Sequence, residues 1–111
     1  MVKLPFIRNF HPGYVLEWPE DLSATLVSVI NDAYVRLFED NIWYDTIVMA
    51  HTRLTAIDPD YRIVQIKEKF GGLRYYFHTE TSHETWRQMQ DVVNDAETIA
   101  STITYKAATH D

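Results

Sequence analysis

Tyr61-Arg62-Ile63-Val64-Gln65-Ile66-Lys67-Glu68-Lys69-Phe70-Gly71-Gly72-Leu73-Arg74-Tyr75-Tyr76-Phe77-His78 is the stretch whose reading decides the fold. β-Branched and aromatic residues dominate on both sides of a paired glycine, the pattern of a β-hairpin. The alternation predicts one strand over 61–67 and a second over 73–78, closed by a loop of roughly five residues in which Gly71 and Gly72 supply positive φ. Side chains alternate between the two faces of a strand. Val64 and Ile66 are therefore expected to join Leu73, Tyr75 and Phe77 against the core, with Phe70 folding the loop down onto it. Ile63, Gln65 and Lys67, with Arg74, Tyr76 and His78, would form a second, half-wet face. A lone hairpin is marginal in water, so helices must cover one side.

Helical periodicity flanks the hairpin on both sides. Pro19, followed by Glu20 and Asp21, suits a helix start, and Leu22, Leu26, Val29, Ile30, Ala33 and Leu37 recur at helical spacing over 19–39. A second helix is expected over 42–57, with Trp43, Ile47, Ala50, Leu54 and Ile57 on one face. Asp58-Pro59-Asp60 stops it, because the residue before a proline is pushed out of α space. Thr81-Ser82-His83-Glu84 reads as a capping box opening a third helix over 82–103. Its inner face would be Trp86, Met89, Val93, Ala96, Ala100 and Ile103, with a fraying tail from Thr104. Residues 1–18 form an arm of unassigned role. The order is α-α-β-β-α, which predicts a single α+β domain with three helices covering a small antiparallel sheet.

With 111 residues, 46% of them hydrophobic, the chain has enough apolar side chains for one core. It has no cysteine, which excludes disulfides, thiolate metal sites and cysteine nucleophiles. No apolar run approaches the roughly 20 residues of a membrane span, and Met1–Phe10 makes a poor signal peptide, so the cytoplasm is expected. Charge is unevenly distributed: the chain carries −6 overall, yet 61–78 holds four bases and one acid. An acidic body disfavours general binding to nucleic-acid backbones and favours a basic partner surface; it also serves solubility alone.

Gln65-Ile66-Lys67-Glu68-Lys69-Phe70-Gly71-Gly72-Leu73-Arg74-Tyr75-Tyr76 resembles the core of a family of small uncharacterised phage and prophage proteins, in which it typically reads QVKEKFGGLRFY. Trp43-Tyr44-Asp45 is similar to that family's stretch opening the preceding helix, although Ile42 stands where glycine is usual. Asp95-Ala96-Glu97 and Ser101 are similar to a later segment. Members commonly continue into a zinc-type Cys-x-x-Cys segment, where this chain has Thr102-Ile103-Thr104-Tyr105-Lys106. The resemblance implies fold and a phage provenance, with the host cytoplasm as location; the family has no agreed activity to imply.

Lys67, Glu68, Lys69 and Arg74 around the glycines make a candidate partner or anion site; equally, glycines serve turn geometry and lysines discourage edge pairing. Tyr76 and His78, beside Arg74, extend this to a patch with the composition of interface hot spots. His78, Glu80, His83 and Glu84 lie close in sequence but match no standard zinc spacing, and no cofactor is expected. No Gly-x-Ser-x-Gly elbow, Walker loop or dinucleotide fingerprint is present, and no residue pattern assigns an acid, a base or a nucleophile, so no enzyme is expected. The expected function is a small acidic binding protein docking on a bacterial host protein, such as a defence component or toxin, and inhibiting it. The alternative is a nucleic-acid or nucleotide module using the hairpin tip. A homodimer through the outward sheet face is the third reading.

Overall fold

The computed structural model describes residues 23–109, and the expectations for the N-terminal arm and for the first turn of helix 19–39 lie outside them. The element order is α1 (Ala24–Arg36), α2 (Tyr44–Ile57), β1 (Arg62–Lys69), β2 (Gly72–His78) and α3 (His83–Thr109). This is the α-α-β-β-α order expected, with β1 and β2 pairing as a two-stranded antiparallel sheet. No helix of the described residues is long and apolar enough to cross a membrane.

Ser23 caps α1, its hydroxyl accepting from the Leu26 amide. Among the described residues, the buried face of α1 keeps Ile30 from the expected set but is otherwise a different one. Val27, Ile30, Asn31, Tyr34, Val35 and Phe38 are buried, whereas Leu26, Val29 and Leu37 are exposed. The helix carries two apolar stripes, and the one that turns inward holds Tyr34 and the buried Asn31 amide, with Phe38 continuing it just past the helix end. In α2, Ile47, Ala50 and Leu54 are buried as the spacing predicts, and Asp58 ends the helix in extended backbone. The Asp58 carboxylate is buried and accepts from the Asp60 amide and from the Thr79 hydroxyl, tying the end of α2 to the end of β2.

The helix α3 begins one residue later than the capping-box reading: Ser82, not Thr81, accepts from the Thr85 amide, and Glu84 takes no part. Met89, Val92, Val93, Ala96 and Ala100 are buried, but Trp86 is 40% exposed, stacking on His83 and leaning on Phe77. The helix also continues past the expected end at 103. There the Trp43 indole N–H donates to the Thr104 hydroxyl at 2.9 Å, giving the last turns a tertiary anchor on α2's start.

The hairpin departs from simple alternation. Ile63 pairs with Phe77 and Gln65 with Tyr76, so Val64 is an extra residue in a β-bulge. A bulge shifts every later side chain to the other face. Ile63 and Ile66 are therefore both in the core, with Leu73 and Tyr75, and Val64 is only partly buried. The expected assignment of Val64 inward and Ile63 outward is corrected by this one inserted position. The loop is also shorter than expected: Lys69 pairs with Gly72, leaving a two-residue turn, Phe70-Gly71. Both have positive φ, 53° and 79°, as a type I′ hairpin turn requires. Phe70 does not fold onto the core; it is 93% exposed.

Candidate functional site

A two-stranded sheet has two free edges, and here a side chain from a different helix closes each. On β1, the Asn31 amide nitrogen donates to the Tyr61 carbonyl at 2.6 Å, and its oxygen accepts from the Ile63 amide at 3.0 Å. Asn31 thus reproduces the hydrogen bonding of a neighbouring strand. On β2, the Tyr75 amide donates to the Glu97 carboxylate of α3 at 3.1 Å. These bonds hold the ribbon between α1 and α3 and satisfy edge groups that would otherwise invite another strand.

A second tie runs beneath the sheet. Asp32 Oδ1 lies 2.8 Å from His51 Nε2, His51 Nδ1 lies 2.5 Å from the Tyr61 hydroxyl, and that hydroxyl lies 2.7 Å from the Tyr75 hydroxyl. One orientation satisfies every group when the imidazole is neutral. Tyr75 donates to Tyr61, Tyr61 donates to His51 Nδ1, and His51 Nε2 donates to Asp32, whose carboxylate can only accept. Burial pushes both phenols well above the ordinary tyrosine range, that of Tyr61 with help from its neighbour Tyr75. Tyr61 and Tyr75 are closed off from solvent, so the chain of hydrogen bonds joins α1, α2 and the two strands without presenting a nucleophile. His51 follows Ala50 beside the apolar stripe of α2, a position that by itself gives no sign of these partners. The usable signal was a histidine on α2 with tyrosines at both hairpin strands.

The register sorts the expected site residues. Arg62, Gln65, Lys67 and Lys69 of β1 share the outward face with Arg74, Tyr76 and His78 of β2. Four cations therefore share a face whose register positions hold no carboxylate. Lys67 and Arg74 are direct cross-strand partners, an arrangement that like charges disfavour. Each is diverted. Lys67 is 7% exposed with its Nζ 5.6 Å from the Tyr76 ring centre, and the Arg74 guanidinium bends back to donate to the Leu73 carbonyl. Tyr76 is 42% exposed. His78 donates to Glu80 at 2.9 Å, and that bond holds the exposed Glu80 carboxyl below its usual range.

Glu68 is set apart from the other expected site residues. It opposes Leu73, on the inward side, and its carboxylate accepts from the Gly71 amide at 2.7 Å. The loop amide that an anion would use is therefore already engaged. Gly71 needs its positive φ, with open space where a Cβ would stand. At Gly72 a Cβ would meet the flexible Arg74 guanidinium at 3.1 Å and the Lys69 carbonyl oxygen at 3.5 Å. The His78, Glu80, His83 and Glu84 set does not converge: among the described residues no group of three or more His, Cys, Asp or Glu side chains is placed to hold a metal ion. The structure thus gathers Lys67, Lys69, Arg74, Tyr76 and His78 on one face and turns Glu68 into the turn.

Compared with protein-family models, with curated proteins and with solved structures, the chain gives no match.

Proposed function

We propose that this chain is a small non-enzymatic binding protein of phage or prophage type that docks on a bacterial protein and blocks it sterically, a defence component or toxin being the target class. The observation that carries this reading is the outward face of the hairpin. Arg62, Lys67, Lys69 and Arg74 stand there with Tyr76 and His78, in a chain of net charge −6. Arginine and tyrosine are enriched among residues that dominate binding energy. The edge bonds from Asn31 and Glu97 support rigid display, since a pre-ordered surface loses less entropy on association. The phage provenance rests on the resemblance of Gln65–Tyr76 and Trp43–Asp45.

The test is affinity capture from bacterial lysate with the wild-type chain and with a triple Arg74→Glu, Tyr76→Ala, His78→Ala variant. One protein retained by the former and lost by the latter is the expected result. Recovery of nothing by the wild type, with a monomer in sedimentation, argues against the reading.

The cationic row also favours a second reading, a nucleic-acid or nucleotide site using Lys67, Lys69 and Arg74. Glu68 weighs against it, because its carboxylate occupies the Gly71 amide that a phosphate would seek. This reading expects salt-sensitive binding to oligonucleotides, and a flat titration at low salt removes it.

A further inference from the structure

We propose that Phe70 is the anchor of the docking surface, inserting its ring into an apolar pocket rimmed by carboxylates on a partner protein. The inference rests on the binding-protein reading above and specifies which atom group enters the partner and what chemistry receives it.

Phe70 is the residue the fold has least use for. It occupies the first central position of a type I′ turn, where Asn, Asp or Gly tolerates positive φ and a bulky side chain does not. Its φ of 53° places it in the left-handed region, and 93% of it is exposed. Strain and exposure both count against the folded state, and no core contact offsets them. Among the described residues the ring touches only the neighbouring Lys69, whose Nζ lies 5.7 Å from the ring centre. Backbone outliers of this kind concentrate where they serve binding.

The surroundings specify the occupant. Lys69, exposed, sits beside the ring, and the half-buried Arg74 continues the outward row, whereas Lys67 is buried against Tyr76. A pocket edged with aspartate or glutamate complements them. Three observations favour a protein over other occupants. The Gly71 amide holds Glu68, so a phosphate has no open loop amide. The tip offers one ring, whereas a run of bases needs a succession of stacking platforms. The rest of the molecule is strongly acidic and would face an extended anionic bilayer with its whole body, whereas a single acidic-rimmed pocket meets only the cationic tip.

The experiment places the photo-crosslinker p-benzoylphenylalanine at position 70 in one chain and at position 76 in another, and irradiates each in bacterial lysate. The captured protein is then purified and its affinity measured for the wild type, Phe70→Asn, Phe70→Trp and Lys69→Glu. Asn accepts the turn conformation, so loss of folding does not confound that variant. The expected result is a crosslink from position 70 mapping to an apolar pocket with acidic residues at its rim. Phe70→Asn should then weaken binding about 30-fold or more, Phe70→Trp should largely retain it, and Lys69→Glu should weaken it in a salt-dependent way.

A crosslink from position 76 alone, or equal affinity of Phe70→Asn and wild type, overturns the anchor and leaves the binding-protein reading standing. No protein crosslink from either position sinks both. A crosslink from position 70 to nucleic acid, to lipid or to a second copy of this chain also overturns the proposal.

Discussion

The Asn31 side chain of α1 accepts a hydrogen bond from the backbone amide of Ile63, making a helix residue the third member of a two-stranded ladder. The Asn31 side-chain nitrogen donates in turn to the Tyr61 carbonyl, and Asn31 is itself buried. Replacing it with leucine, of similar size, strands one backbone donor and one acceptor. Each unsatisfied buried group costs roughly 1–3 kcal/mol, so Asn31→Leu should destabilise by about 2–4 kcal/mol. Urea denaturation followed by circular dichroism measures this, and a shift of less than about 0.5 kcal/mol would show that the edge bonds carry little.

The two buried phenols are not equivalent. Tyr61 sits between His51 and Tyr75, whereas Tyr75 ends the hydrogen-bonded chain. Tyr61→Phe leaves both His51 Nδ1 and the Tyr75 hydroxyl without that partner, so it should cost about 2–3 kcal/mol, against about 1 kcal/mol for Tyr75→Phe. The ranking is the test: equal losses, or the reverse order, contradict the central place of Tyr61 between His51 and Tyr75.

Alkaline pH should act through the same pair. Both phenols titrate higher in the folded chain than in the unfolded one, chiefly because burial disfavours the phenolate. The folded state therefore keeps protons that the unfolded state releases near pH 10. Stability is full below that value and falls above it, by up to about 2.7 kcal/mol per pH unit for two groups. Chemical denaturation between pH 8 and 11 should show the decline, and a Tyr61→Phe, Tyr75→Phe double variant should be flatter over that range.

Phe70→Gly and Phe70→Asn should both stabilise the fold. A bulky residue in left-handed backbone costs roughly 1–2 kcal/mol, so a gain of about 1 kcal/mol is expected from either, seen as a rise of about 4–8 °C in the melting temperature. Phe70→Val should do the opposite, since a β-branched side chain tolerates positive φ less well. A fall in stability for Phe70→Gly would mean that the ring supports the turn in some way the geometry does not reveal.

The element order, the helix stop at Asp58 and most of the α2 and α3 inner faces were legible from spacing, because a single stripe of apolar residues leaves one way to bury it. Spacing alone does not decide where two faces have similar apolar content. Leu26, Val29 and Leu37 compete with Val27, Tyr34 and Phe38 on α1, and the winner depends on Asn31 reaching a strand edge some thirty residues away. Val64 could not be recognised as a bulge, because an apolar residue in an apolar strand carries no mark of being unpaired. Phe70 stays outside the core because Lys69 and Gly72 close the turn without it, and aromatic character alone does not signal this. Of the candidate site, the cationic row and Tyr76 were readable from alternation at the distal end of the hairpin. Glu68's retreat into the turn needed the Gly71 amide to be located first.

The side chains that seal the ribbon, Asn31 and Glu97, come from helices lying before and after it along the chain. During synthesis the strands can meet as soon as both have left the ribosome, but the second clamp arrives only with α3. Until then the hairpin lacks a partner for the Tyr75 amide, and the nascent chain spends that interval with one border open to misassembly. Closing of that border therefore waits on α3, whose Glu97 supplies the bond.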